Sequence, residues 1–544
     1  MSAPQPDGTA ASGMRRDTMA VTLCTLLSRL TGFGRVLATA AVLGSGLLAD
    51  VYQTANLIPN LMFELVAGGV LQAVLVPSFV AARREGGTEA LSAATRATGG
   101  VIVVGLAAVA VVGMALAPVL ARLLVLSEPS SVVAREKVAL MVPMVLVFVP
   151  QLVCYGIATV TSSALNARNR FVAAALAPAV NNIIVIAACI AFRESRDGAV
   201  ADLHLSPLQF ILVAGGTTMG VLAFSLTPAL ALRATGVHWW PQWRPQHPAV
   251  QAMRTTFGWA TLSIVGTLVP TAAALALGNG APGGVAVFVF AFAFYVLPHA
   301  LIAVTVATTL APRVAENWQA DRVAEVGTAV DSAMRTAVPL LVLAGAGMLG
   351  LAWPLTRLVA GIGQTASQGF APIAYALASF GPGLLGYGVA FVMTRVLFAL
   401  GDVRRAALLM VAGAVVGVVA MVVTSAALTP ANRAAALAIG YGASQTIAAV
   451  LLTARVHRLT GSMGGRRALR LLGEAMLAGA GSVAVMLSVV ALFEADRRQA
   501  LAALLLGGSA GAGSFGLLLA LLRAGQRRGD WRGDWRGRED GLSS

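Results

Sequence analysis

Two arginines, Arg29 and Arg35, stand in the stretch SRLTGFGR at 28–35, inside the first apolar run of the chain. A guanidinium near mid-bilayer costs about 2.5–3.5 kcal/mol on insertion scales, so it is kept where it meets a partner, water or a ligand. Its planar fork of donors suits the oxygens of a diphosphate. The first chemistry to consider is therefore a deep cationic site for an anionic head group, with Ser28 beside it. The competing reading makes both cations internal struts, Arg35 to Asp50 and Arg29 to Glu64. Residues six apart in an ideal helix point about 120° apart. Gly32 and Gly34 between them predict a distortion that would turn both guanidinium groups toward one cavity, and both glycines are candidate hinge positions.

The next polar residues lie in ADVYQTANLIPNLMFELVAGGVLQAVLVP, 49–77. Asp50 opens the second helix, where a carboxylate either joins the substrate site or meets the positive end of the helix dipole. Pro59 removes a backbone bond and Asn60 can re-satisfy the freed group, which makes the pair a candidate hinge or gate. Glu64 sits inside the apolar run, either paired with Arg29 or free to exchange a proton during transport. Further along, His299 follows Pro298 within an apolar run and reads as a satisfied interior residue. Asn181 and Asn182 read as hydrogen bonders across the bundle, and Asp402 with Arg404 as a cytoplasmic loop clamp. Nothing points to covalent chemistry: no phosphate-binding loop, no dinucleotide fingerprint and no His, Cys and carboxylate cluster at metal spacing occur. Cys24, Cys154 and Cys189 lie in apolar stretches without disulfide or zinc spacing. No catalytic residue, cofactor or metal site is expected, and the protein reads as a transporter rather than an enzyme.

The elements that must hold these residues are membrane helices. Apolar residues make up 58% of 544 and charged residues 11%, with a mean hydropathy of +0.81; a soluble domain has roughly 45–50% and about 25%. The fold class is all-α polytopic membrane protein. Runs of roughly 20 apolar residues between polar breaks predict about fourteen transmembrane helices. The net charge of +15 comes almost wholly from arginine, with Lys137 the only lysine. The arginines cluster in alternate loops, as at Arg83 and Arg84, Arg168 and Arg170, Arg404 and Arg405, and Arg455 and Arg458. The positive-inside rule then places both termini in the cytoplasm, against the exceptions Arg135, Lys137, Arg193, Arg196, Arg497 and Arg498. Charges set between spans argue topology rather than nucleic-acid binding.

Two short matches recur at nearly one offset: VPSF at Pro77 with APRV at Pro312, and the loops at Arg170 and Arg404. They predict two six-helix lobes related by pseudo-two-fold symmetry, plus two extra C-terminal helices. The expected boundaries are a cytoplasmic arm 1–16, an N-lobe 17–235, a C-lobe 236–460, two further helices in 461–526, and a disordered basic tail 527–544.

The SRLTGFGR stretch, the Asp50 to Pro59-Asn60 stretch, the LNARNRF run at 165–171 with Pro178, and Arg395 with Asp402 together resemble the MurJ (MviN) family of lipid II flippases, within the multidrug/oligosaccharidyl-lipid/polysaccharide exporter superfamily. The resemblance implies a multi-pass protein of the bacterial cytoplasmic membrane that carries lipid II, an undecaprenyl-diphosphate-linked peptidoglycan precursor, from the inner to the outer leaflet by alternating access. It implies a role in cell-wall biogenesis, with cell-wall synthesis proteins as partners, and matches Arg29 and Arg35 to the family's essential arginines. Two positions depart from the pattern: Phe63 and Glu64, and Ala293, stand where members often carry arginine, which leaves the cavity less positive. The alternatives are export of another lipid-linked glycan or an amphipathic drug, or a non-transporting cell-wall scaffold.

Overall fold

The computed structural model describes residues 8–67, 70–196, 202–256, 259–360, 370–462, 465–493 and 497–540. Every regular element among them is helical. The described chain divides into two compact units: the first runs to Leu268 and adds Asn279–Ala286, and the second takes Val269–Gly278 and the residues from Val287 onward.

The first unit holds α1 (Gly8–Leu43), α2 (Leu47–Ala67), α3 (Val70–Ala115), α4 (Ala117–Leu124), α5 (Ser131–Phe148), α6 (Gln151–Ala167) and α7 (Val172–Glu194). A short α8 (Pro207–Phe210) passes through a π-turn into α9 (Gly216–Arg233), and α10 (Pro248–Thr256) follows. Helices α11 (Trp259–Gly278) and α12 (Gly284–Gln319) begin in the first unit and run into the second. There follow α13 (Val323–Gly350), α14 (Ala352–Ala360), α15 (Ala371–Phe380), α16 (Gly383–Ala399), α17 (Val403–Ala427), α18 (Arg433–Thr460), α19 (Gly465–Val490) and α20 (Arg497–Asp540).

Eleven stretches among the described residues are long and apolar enough to span a membrane, and a twelfth arises if α15 and α16, bent by 46°, form one span. The other two of the fourteen expected correspond to α2, which carries Asp50, Gln53, Asn56, Asn60 and Glu64, and to α11, an apolar helix of 20 residues, of which the described residues enter the span count only over Ile264–Gly278. Within α3 the helix breaks at Gly86 and Gly87, the latter at φ 62°, a conformation that glycine adopts without a Cβ penalty. Beside this break, Arg83 donates to the carbonyl of Ala167 at 2.9 Å and so satisfies an orphan acceptor at the end of α6.

Three boundaries differ from the sequence reading. The stretch 237–256 belongs with the first unit rather than opening a C-lobe at 236, because its backbone bonds to α3: Gln242 N donates to Arg96 O at 2.8 Å. Helix α1 begins at Gly8, inside the expected polar arm. Helix α20 continues through the arginine-rich repeat to Asp540 where disorder is expected, since a helix already formed extends without a new nucleus and arginine propagates it well. Residues 1–7 and 541–544 of the arm and tail lie outside the described residues.

In the second unit, glycines set how closely the helices approach. A Cβ on Gly386 of α16 would overlap the backbone and hydroxyl of Thr446 on α18, and one on Gly417 of α17 would overlap Ser444. Small residues replace the hydrophobic drive that lipid-facing helices lack. Gly386→Ala should therefore lower the thermal midpoint of the purified protein by several degrees, as overpacking costs about 1–3 kcal/mol; a melt followed by thiol-reactive or tryptophan fluorescence checks it.

Candidate functional site

Helix α1 carries both arginines and is unbroken across them. The glycines are not a hinge in this structure. Gly32 faces Asn182 Nδ2 of α7, which a Cβ would meet at 3.4 Å, and Gly34 faces Ile186. Asn182 is buried and donates to Ser28 O at 3.4 Å and to Thr31 Oγ1 at 3.3 Å. The glycine face of α1 thus lies toward α7 at ordinary contact distance, and Ser28 joins that contact through its carbonyl. With no distortion, the six-residue spacing leaves the arginines on different faces. Arg29 is exposed and Arg35 half-buried.

Neither guanidinium has an ion pair or a hydrogen-bond partner among the described residues. Arg35 lies within electrostatic reach of Tyr52, Tyr155 and Cys189. Tyr52 is tied to Thr217 of α9 at 2.9 Å, while Tyr155 of α6 packs against Phe63 at 5.3 Å and Phe224 at 6.2 Å between ring centres. A half-buried cation beside two phenols can take an anion without first breaking an internal salt bridge.

Both proposed struts are absent. Glu64 is exposed and has no cation partner among the described residues. Asp50 is fully buried and turns to the start of α12: its Oδ2 accepts from Gly283 N at 2.7 Å, and its Oδ1 from Val285 N at 3.0 Å and Ala286 N at 2.9 Å. The carboxylate caps a helix, but not its own, and both oxygens are occupied, so it is not available as a substrate ligand. Gly283 permits this turn, with φ 78° and the Ser45 carbonyl where a Cβ would stand. In α2 the helix continues through Pro59, and Asn60 Nδ2 donates to Asn56 O at 2.8 Å, whereas the carbonyl that the proline leaves without its helical N–H is that of Ala55.

The sequence missed Lys137 as a structural centre. It is fully buried, pairs with Glu128 at 2.8 Å, and donates to Asn279 O at 2.8 Å, while Asn279 Nδ2 reaches Thr54 Oγ1 at 3.0 Å. The available signal was a lone lysine opening an apolar run, nine residues after an acid. Two of the basic residues in the other loops are paired: Lys137 with Glu128, and Arg196 with Asp202 at 3.2 Å.

In the second unit, His299 is buried and stacks on Tyr387 at 3.8 Å, within a cluster that includes Tyr295 and Phe391. Its Nδ1 has no hydrogen-bond partner among the described residues, and its ring is held by aromatic packing. Asp402 pairs with Arg455 of α18 at 2.6 Å and with Arg405 at 3.9 Å, so the clamp at this loop also draws on a later helix. An apolar cavity of about 350 Å³ lies among α13, the α15–α16 bend and α19, lined by Leu341, Gly345, Leu349, Pro382, Met476 and Gly479.

The model of the family described as lipid II flippase MurJ matches residues 39–501. The chain belongs to this MurJ family. The match takes in Asp50, Pro59, Asn60 and Glu64 and begins after Arg29 and Arg35, so the arginines stand on their own geometry. Among curated relatives, a protein of Rhizobium tropici named "Probable lipid II flippase MurJ" is 26% identical over 374 residues, 69% of this chain and 68% of that one. A lipid II flippase MurJ solved in an inward closed conformation matches with a TM-score of 0.71 at 16% identity, covering 94% of this chain and 99% of that one. An inward-facing MATE-family multidrug resistance transporter of the MOP superfamily matches with a TM-score of 0.62 at 14% identity, covering 81% and 99%. At such identities these structures bear on the fold, which is MurJ-like and multi-pass.

Removing the buried ammonium tests the Lys137 centre. Lys137→Met should strand Glu128 and cost about 3–5 kcal/mol, read as a large drop in thermal midpoint, while Lys137→Met with Glu128→Gln should recover most of it.

Proposed function

We propose that this chain is a lipid II flippase, moving an undecaprenyl-diphosphate-linked peptidoglycan precursor from the inner to the outer leaflet of the bacterial cytoplasmic membrane by alternating access, with both termini cytoplasmic. The observation that carries the reading is Arg35: a cation within an apolar helix, half-buried and unpaired among the described residues, in a unit where Asp50 and Lys137 are fully compensated. A diphosphate is the partner its fork fits, and Arg29, one and two-thirds turns earlier, adds a second cation on a neighbouring face. Membership in the MurJ family supplies the substrate class.

One observation favours a second reading. Phe63 packs on Tyr155 at a place where the family often carries arginine, and Glu64 adds a negative charge beside it. This fits a carrier of another lipid-linked glycan with a smaller anionic demand.

Complementation in a bacterium depleted of its own lipid II flippase separates the readings. At matched membrane levels the wild-type chain should restore growth, whereas Arg29→Ala and Arg35→Ala should not, and Arg35→Lys should restore it in part because charge is kept and the fork is lost. Growth with both alanine variants would sink the assigned site; no growth with well-folded wild type would favour the other glycan.

A further inference from the structure

The connection between α9 and α10, VHWWPQWRPQHP at 237–248, is built as a surface and not as slack chain. Val237 is fully buried, His238 N donates to Ser92 Oγ at 3.2 Å, and Gln242 N donates to Arg96 O at 2.8 Å. Gly100 of α3 lets the Gln242 backbone come this close, since a Cβ there would collide with its carbonyl. Pro241, Pro245 and Pro248 restrict the remaining backbone. On this fixed support Trp240 is 72% exposed and Trp243 61% exposed, with Trp239 against Trp240 at 5.5 Å.

Two open indoles on a rigid loop require a partner that is part apolar and part polar. The loop leaves α9 at the end of the candidate span Pro207–Arg233, so it emerges at the edge of the membrane. Its charge has one sign: Arg233 and Arg244 are exposed, and no Asp or Glu occurs in the sequence between Asp202 and Glu316. Burial and the Arg244 charge hold His247 below the usual histidine range, so at neutral pH the arginines supply the positive charge.

We propose that the 237–248 loop is an interfacial platform for anionic phospholipid, with Trp240 and Trp243 seated at the head-group boundary and Arg244 on lipid phosphate. Indoles favour that boundary, and each basic residue near an anionic surface adds attraction. The inference does not depend on the transported substrate.

The test uses the full chain in nanodiscs of phosphatidylcholine and phosphatidylglycerol, with lipids brominated close to the head group. The emission that Trp240→Phe with Trp243→Phe removes should be quenched by the brominated lipid and protected from aqueous iodide. Arg244→Gln, at an exposed position, should weaken phosphatidylglycerol retention in native mass spectrometry about fivefold, the equivalent of about 1 kcal/mol per basic residue. Indole emission quenched by iodide and untouched by bromine would overturn the proposal, as the loop would then face water or a soluble protein. Unchanged phosphatidylglycerol retention in Arg244→Gln would overturn it as well.

Discussion

A charge carried inside a membrane bundle has to be answered, by an opposite charge, by backbone dipoles or by a ligand. The first unit shows the first two solutions side by side. Asp50 is answered by three backbone N–H groups at the start of α12, and Lys137 by Glu128 and a carbonyl of the same loop. Both converge on residues 279–286, so the segment that opens α12 is pinned by two buried charges from α2 and α5. Arg35 differs in being left without such an answer among the described residues. In the proposed function that asymmetry marks Arg35 as the candidate binding group and sets it apart from the struts.

The packing follows from the same setting. Where lipid removes the hydrophobic drive between helices, backbone proximity takes over. Gly386 on Thr446 and Gly417 on Ser444 are two instances, and in each the missing Cβ decides how near the helices lie.

Much of this was legible in the sequence, and the reasons for the rest are physical. Apolar runs identified the class, because spanning length leaves a strong signal. A helix such as α2 is hard to recognise as a span because it carries polar residues that only tertiary partners explain. The oddity of Arg29, Arg35, Asp50 and Glu64 was visible from residue type alone; their partners were not, since pairing depends on which helices meet. Asp50 was expected near Arg35 and found its partners more than 230 residues away along the chain. Glycine spacing suggested flexibility in α1, yet glycine equally permits close contact, and the sequence does not separate the two.

The central claim is that Arg35 is held open for the anionic group of a polyprenyl-diphosphate lipid. The most direct measurement is binding of purified lipid II to the detergent-solubilised chain by native mass spectrometry, wild type against Arg35→Ala, with Arg83→Ala as a control for loss of a structural arginine. The account predicts that wild type binds, that Arg35→Ala weakens binding by about tenfold or more, as loss of a hydrogen bond between charged groups implies, and that Arg83→Ala binds as wild type does. Equal binding by wild type and Arg35→Ala would contradict it.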